Sequence, residues 1–133
     1  MRIVLDSSVL IAASITRAGV CAELLEDVLT RHELVLSDFI IEEVERKLRD
    51  KFRFSDRDVR SLIRFLVHQS ERVEPALVPA TVCRDPQDRP ILGTAVAGRA
   101  ALLLTGDQDL LTIGHYENIV ISRPADYWRL TAG

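Results

Sequence analysis

The 133-residue sequence contains few cysteines and histidines, and their spacing matches no familiar metal site. Cys21 and Cys83 lie far apart, which favours free thiols in a reducing compartment over a disulfide framework. The histidines, His32, His68 and His115, are scattered and lack the spacing of zinc ligands. These two residue types therefore indicate neither a zinc centre nor a secreted, disulfide-bonded domain.

Long apolar runs and common catalytic loops are also missing. No apolar stretch approaches the roughly 20 residues that span a bilayer. The amino terminus reaches Asp6 too early to contain the apolar core of a signal peptide. There is no glycine-rich phosphate loop and no GxSxG turn that would present a nucleophilic serine. We therefore expect a cytoplasmic protein.

The length and composition of the chain suit one compact domain, which we assign to residues 1–133. Hydrophobic residues make up 47% of the chain, and the net charge of −3 creates no overall attraction for nucleic acid. About half of the 17 basic residues nevertheless crowd into one segment: Arg46, Lys47, Arg49, Lys51, Arg53, Arg57, Arg60 and Arg64. Acids are interleaved, so the segment predicts either a solvated pair of helices with internal ion pairs or a flank that contacts the phosphates of a nucleic acid.

One stretch, residues 102–109, joins an apolar run to two aspartates. Three leucines, 102–104, run into Thr105 and Gly106, and Asp107 and Asp109 follow. A short apolar run of this kind predicts a strand that is buried on both faces, as in a parallel sheet. Ligands of open α/β sheets bind outside the carboxyl ends of strands, whereas aspartates are also common helix caps. The stretch alone does not decide between a binding site and a cap.

Strands and helices alternate along the whole sequence. Strands are predicted at 2–5, 34–36, 102–104 and 119–121, and the connection over 73–82 can contain another short one. Helices are predicted at about 7–14, 21–29, 38–50 after Ser37, 56–70 after Ser55, after Asp88, from about 109, and from Pro124, where Tyr127, Trp128 and Leu130 pack inward. This order predicts a three-layer α/β/α sandwich around a mostly parallel sheet of four to five strands.

Acidic residues recur at the predicted carboxyl edge of this sheet. Asp6 ends the first strand, Asp107 and Asp109 follow the 102–104 strand, and Asp88 begins a helix, where a plain N-cap is the alternative role. In the helix 38–50 the apolar face leaves two glutamates on its flanks, Glu43 and Glu45, and a helical wheel does not choose between them.

Converging carboxylates predict a metal site. They repel one another without a cation, and oxygen-only ligands select hard ions such as Mg²⁺ or Mn²⁺. Such ions can activate water and stabilise the charge on a phosphodiester during cleavage. No serine or cysteine with a neighbouring histidine suggests covalent catalysis, so metal-assisted hydrolysis is favoured.

Four segments resemble the signature blocks of PIN domains, in the same order. They are VLDSS (4–8), SDFIIEEV (37–44), DPQDRPIL (85–92) and LTGDQDLL (104–111). The resemblance covers nearly the whole chain, and the short layout is similar to VapC-like toxins of prokaryotic toxin–antitoxin pairs. It implies a metal-dependent ribonuclease with a three-layer α/β/α fold, often dimeric and inhibited by an antitoxin protein.

The resemblance also assigns roles to individual residues. It implies catalytic, metal-binding acids at Asp6, Glu43, Asp88 and Asp107, with Asp109 as a frequent additional ligand, and thus prefers Glu43 to Glu45. Ser8 and Thr105 match small hydroxyl positions that orient the carboxylates or a water. Two positions depart from the pattern: Ser8 stands where many relatives have Asn, and Gln87 replaces a common Asp. Neither departure removes a core acid, so we expect an active enzyme.

Three other interpretations fit the residues less well. A receiver-like domain needs paired acids after the first strand and a lysine at the end of a late strand. A dehalogenase-type hydrolase needs a DxD motif after the first strand. Here Asp6 is followed by two serines, and the only lysines are Lys47 and Lys51. The third alternative is a PIN-like module that binds RNA or protein without cutting, which an intact set of acids disfavours.

Overall fold

Strands and helices alternate in the computed structural model, which describes residues 1–16 and 18–132. The strands are β1 (Arg2–Leu5), β2 (Glu33–Leu36), β3 (Ser70–Arg72), β4 (Leu102–Leu104), β5 (His115–Tyr116) and β6 (Ile119–Ser122). The helices are α1 (Ser7–Ile15), α2 (Val20–Arg31), α3 (Asp38–Asp50), α4 (Asp56–Gln69), α5 (Arg89–Ala97), α6 (Gln108–Ile113) and α7 (Tyr127–Leu130), with a 3₁₀ turn at Pro124–Asp126 before α7.

The described strands form one sheet in the order β3-β2-β1-β4-β6-β5. All neighbouring pairs are parallel except β5 with β6. The mostly parallel sheet is confirmed, but it has six strands where four to five were expected. The short strand expected within 73–82 instead precedes that segment, as β3, and the two-residue β5 is too short to show an apolar pattern.

The central strands are covered on both faces. Ile3, Val4 and Leu5 of β1 are all buried, and so are the three leucines of β4. Successive strand residues point to opposite sides of a sheet, so burial of consecutive residues requires packing on both sides. This confirms the three-layer α/β/α arrangement, with one hydrophobic core cluster running through it.

Side-chain caps determine where several helices begin. Ser37 accepts a hydrogen bond from the Ile40 amide at 3.5 Å, and Ser55 accepts one from the Asp58 amide at 3.1 Å. The cap of α1 is Asp6, whose Oδ1 accepts from the Ser7 amide at 2.6 Å, and not the two serines that follow it. A site acid therefore stands at the junction of β1 and α1.

Close packing positions α5 between the 73–82 segment and the start of α3. A Cβ on Gly93 would lie 2.2 Å from the carbonyl oxygen of Ala76, so only glycine fits there. The Thr94 hydroxyl, fully buried, donates to Ser37 Oγ at 2.7 Å. These contacts fix the starts of α3 and α5 relative to each other.

The segment that includes the 3₁₀ turn and Tyr127 packs against α2. Tyr127 is fully buried, and its hydroxyl donates to Asp27 Oδ2 at 2.6 Å. The expectation that Trp128 packs inward is wrong, since its side chain is exposed and contacts Tyr127 edge-on at 4.9 Å between ring centroids. Among the described helices, none alone is long and apolar enough to cross a membrane; α1 and α2 together meet the criterion by length and composition only, with a 108° bend between them.

Candidate active site

The topology places β1 and β4 side by side at the centre of the sheet, where the chain order reverses. In open α/β folds ligands bind at such a switch point, outside the carboxyl ends of the strands. Asp6 follows β1 directly, and Thr105 follows β4. Because β1 and β4 are parallel and in register, these two residues lie next to each other at that edge.

Asp6 is buried and both of its oxygens accept hydrogen bonds. Oδ1 accepts from the Ser7 amide at 2.6 Å, and Oδ2 accepts from Thr105 Oγ1 at 2.6 Å. Burial raises the pKa of Asp6, while the bonds from Thr105 and Ser7 work in the opposite direction. The carboxylate is thereby fixed in orientation at the floor of the site.

Thr105 links Asp6 to the loop that carries Asp107. Its Oγ1 also accepts from the Asp107 amide at 2.9 Å. Asp107 in turn caps α6, because its Oδ1 accepts from the amides of Asp109 at 2.8 Å and Leu110 at 3.2 Å. Asp107 also lines the same cavity as Asp6, so it is both a helix cap and part of the candidate site.

The structure places Glu43 at the site and Glu45 away from it. Glu43 Oε1 accepts from the Ser7 hydroxyl and lies 3.6 Å from Lys47 Nζ. Glu45 pairs with Arg49 at 3.3 Å and does not line the acidic cavity. The ambiguity of the helical wheel is resolved in favour of Glu43.

Asp88 occupies the cap position of α5 without acting as a side-chain cap. No cap hydrogen bond is made by its side chain, its exposure is 4%, and its Oδ2 is buried without a hydrogen-bond partner among the described residues. Burial, followed by the neighbouring charges of Asp107, Asp85, Asp6 and Asp109, raises the pKa of Asp88 to about 7. The interpretation of Asp88 as a plain N-cap is therefore wrong.

These acids surround one cavity of about 330 Å³. Its lining includes Asp6, Glu43, Asp88 and Asp107, together with Asp85, which was not among the predicted site residues. The signal for Asp85 was present, since it begins the DPQD segment, but no pattern in the residues distinguished it from a loop aspartate. We call these five carboxylates and the space between them the acidic pocket.

Asp85 also belongs to the tightest group of carboxylates in the described part of the chain. One oxygen from each of Asp85, Asp88 and Asp109 lies within 4.8 Å of the others. Asp85 Oδ1 accepts from the Gln87 amide at 2.9 Å, which fixes its orientation. Asp109 is exposed and borders an adjoining cavity of about 610 Å³, which it shares with Asp85 but not with Asp6.

The two predicted hydroxyl residues, Thr105 and Ser8, make different contacts. Thr105 contacts Asp6 directly, whereas Ser8 Oγ accepts from the Gly106 amide at 3.4 Å and donates to no carboxylate in the described residues. Ser7, which was not selected from the sequence, makes the carboxylate contact through Glu43. The sequence did not reveal this contact, because Glu43 lies 36 residues away along the chain.

The basic segment is brought only partly to the site. Lys47 lines the acidic pocket, Arg46 borders a neighbouring cavity with Gln87, and Lys51 lies at the end of α3. Arg49 is paired with Glu45 and with Asp56. The remaining members are exposed and lie beyond α3, on the connecting loop and α4: Arg53, Arg57, Arg60 and Arg64.

The donors of the acidic pocket fit a hard divalent cation. They are carboxylate oxygens without histidine or thiol, as Mg²⁺ and Mn²⁺ prefer. The unpartnered, buried Asp88 Oδ2 is the strongest single indication, because buried polar atoms normally have a partner. Cys83 is nearby and free, but burial raises the pKa of its thiol and so lowers its reactivity.

Comparisons with known proteins agree with this geometry. A comparison with curated proteins found no match. Among solved structures, the chain is similar to VapBC2 from Rickettsia felis, determined bound to a DNA fragment from their promoter. The similarity covers 92% of this chain and 98% of that one, with a TM-score of 0.64 and 15% sequence identity, and so concerns the fold alone.

The family model described as PIN domain matches residues 2–109, which include all of the acids discussed above. The chain therefore belongs to the PIN domain family.

Proposed function

We propose that this PIN domain is an endoribonuclease that depends on Mg²⁺ or Mn²⁺ and hydrolyses RNA phosphodiester bonds. The observation that carries the proposal is the convergence of five carboxylates on one pocket, with Asp88 Oδ2 buried and unpartnered. Carboxylates that share one pocket repel one another when ionised, and a cation among them relieves that cost. The same observation disfavours a module that only binds, since binding RNA phosphates would not require such a pocket.

Each residue of the pocket has a distinct task in this proposal. Asp6, Asp88 and Asp107 would hold the metal with Glu43, and Asp85 and Asp109, which group with Asp88, would contribute further oxygens. A bound ion would supply an activated water and stabilise charge on the phosphate. Thr105 and Ser7 orient the carboxylates of Asp6 and Glu43, and Lys47 offers a positive charge to the substrate phosphate.

We further propose that the protein is the toxin of a cytoplasmic toxin–antitoxin pair. The similarity to VapBC2 supports a protein partner, because that structure contains an assembly bound to its promoter. A cognate antitoxin would inhibit the ribonuclease, and the toxin would act as a homodimer or higher homo-oligomer. The test begins by inspecting the genes next to this one for a small open reading frame. Its product is then co-expressed with this chain, followed by co-purification, measurement of mass in solution and nuclease inhibition, and absence of such a gene or of any complex would contradict the toxin–antitoxin proposal.

The nuclease itself is tested with purified protein and labelled RNA. Cleavage should require Mg²⁺ or Mn²⁺, stop with chelator, and fall strongly in Asp6→Asn. Glu43→Gln and Glu45→Gln form a matched pair on one helix, and only the former should lose activity, because only Glu43 lines the pocket. Cleavage that survives both chelator and Asp6→Asn would contradict the metal mechanism.

A further inference from the structure

An apolar groove of about 230 Å³ lies between α1 and the carboxyl end of α3. Its apolar walls are Ile11, Ala12 and Ile15 on α1 and Phe52 just after α3. Ser8, Lys47 and Lys51 complete the lining. We call this set of residues the apolar groove.

Two of the large apolar side chains that line the groove are exposed to solvent. Ile15 is 44% exposed and Phe52 is 39% exposed. The backbone of Phe52 is fixed, since its amide donates to the Lys47 carbonyl at 3.2 Å. The ring is therefore presented at the surface by an ordered helix end, which limits the entropy lost when a ligand packs on it.

The groove adjoins the acidic pocket, since Ser8 and Lys47 line both of them. A nucleotide next to a phosphate at the carboxylates would therefore approach the groove along these two side chains. The groove is too small for a folded element and is of a size for one flat ring.

The charges of the groove fit a nucleic acid strand. Lys47 stands at the boundary with the acidic pocket, where Glu43 partly neutralises it at 3.6 Å. Lys51 has no carboxylate within 4.0 Å among the described residues, and its Nζ lies 5.9 Å from the centre of the Phe52 ring. An aromatic face beside an uncompensated cation is what proteins use to bind a base and its phosphate together.

We propose that the apolar groove binds one nucleobase of the RNA substrate, adjacent to the phosphate that lies at the acidic pocket. Phe52 stacks on the base, Ile11 and Ile15 pack against its edge, and Lys51 contacts a flanking phosphate. The proposal rests on the proposed function for the identity of the substrate. It adds a place for one base beside the phosphate at the acidic pocket.

The test measures binding separately from cleavage. A short, 5′-labelled single-stranded RNA is titrated by fluorescence anisotropy with protein carrying Asp6→Asn and with Mg²⁺ present, and gels verify that the RNA stays intact. Phe52→Ala should weaken binding roughly 5- to 100-fold, which corresponds to the stacking of one base. Phe52→Trp should restore affinity. The matched control is Phe65→Ala, which removes a phenylalanine of similar exposure, 44%, outside the groove.

A second set of oligonucleotides locates the base. RNAs that carry a single abasic nucleotide at successive positions should show one position where affinity falls and where Phe52→Ala has no further effect. Affinity unchanged in Phe52→Ala would overturn the subsite, even if the wild-type protein cleaves RNA. Phe52-dependent binding without any cleavage would contradict the nuclease and leave the subsite standing. If Phe52→Ala weakened only the binding of a co-encoded protein, the groove would be a protein-docking surface and the proposal wrong.

Discussion

The Thr105 hydroxyl ties the two central strands together through the Asp6 carboxylate, at 2.6 Å between Oγ1 and Oδ2. The same oxygen accepts the Asp107 amide at 2.9 Å, so one buried hydroxyl orients the acids that follow β1 and β4. Both Thr105 and Asp6 are buried, and water cannot replace the bond without rearrangement. The geometry of the acidic pocket therefore depends on a residue that is not among those lining it.

Thr105→Val is expected to weaken Mn²⁺ binding by roughly 10- to 100-fold, as is typical when the partner of a ligand is removed. It should also destabilise the fold by about 1–3 kcal/mol, because a buried carboxylate oxygen loses its donor. Isothermal titration calorimetry and urea unfolding measure the two effects. Thr105→Ser keeps the hydroxyl and should behave like wild type, while Thr30→Val on the exposed face of α2 controls for removal of a surface hydroxyl. Equal effects of Thr105→Val and Thr105→Ser would show that packing, not the hydrogen bond, matters.

Asp85→Asn is expected to reduce Mn²⁺ affinity by about tenfold or more, since it removes a charged oxygen from the group formed with Asp88 and Asp109. The amide can still accept from Gln87, so the local turn should persist. The measurement is calorimetric titration, with Asp50→Asn at the exposed end of α3 as control. Unchanged affinity in Asp85→Asn would show that the ion is bound by Asp6, Glu43, Asp88 and Asp107 alone.

Much of this architecture follows from the sequence, and the exceptions have physical causes. Long apolar periodicity and serine caps specified α3 and α4 closely, because both signals are local. The two-residue β5 and the three-residue β3 pair with neighbours through backbone groups, which leave no side-chain pattern. Trp128 was expected inside on hydrophobicity, but the helix that carries it is only four residues long and buries Tyr127 instead.

In the candidate site, too, some residues could be predicted from local sequence patterns and others could not. Asp6 and Asp107 could be placed from the ends of apolar strands, whereas the choice of Glu43 over Glu45 depended on the rotation of α3 against α1. Ser7 was missed because its partner, Glu43, is distant in sequence. Asp85 was missed because its contacts with Gln87 and Asp88 are local, as in an ordinary loop, and only the fold brings Asp109 beside it. Local patterns indicate which residues end an element, and tertiary packing decides which of them meet.

Charge reversal at Arg57 and Arg60 is expected to weaken RNA binding and to reduce the slope of affinity against salt by about 2, one for each phosphate that an arginine no longer neutralises. Both side chains are exposed on α4, and neither is in an ion pair among the described residues. Anisotropy titrations at several salt concentrations measure both quantities for Arg57→Glu combined with Arg60→Glu. Arg99→Glu combined with Arg129→Glu makes the same change in net charge elsewhere on the surface. If the two double variants bind RNA equally, the basic segment is a solvated helix pair and not an RNA-binding surface.

The contact between Tyr127 and Asp27 makes a prediction about stability and pH. The guanidinium of Arg31 and the Tyr127 hydroxyl hold the pKa of Asp27 below its usual 3.8. A carboxyl whose pKa is lower in the folded state stabilises the fold above its unfolded pKa, and that contribution disappears as pH falls through the folded value. Asp27→Asn should therefore lower the melting temperature at pH 7, and the difference in melting temperature from wild type should disappear below pH 3.8.

Tyr127→Phe removes only the hydroxyl, so it should show a smaller difference in melting temperature with the same pH dependence. Melting curves from pH 7 to pH 2 measure this, with Glu26→Gln on the exposed side of α2 as control. A difference that stays constant over the whole range would mean that the destabilisation comes from altered packing around Tyr127 and not from the Asp27 charge.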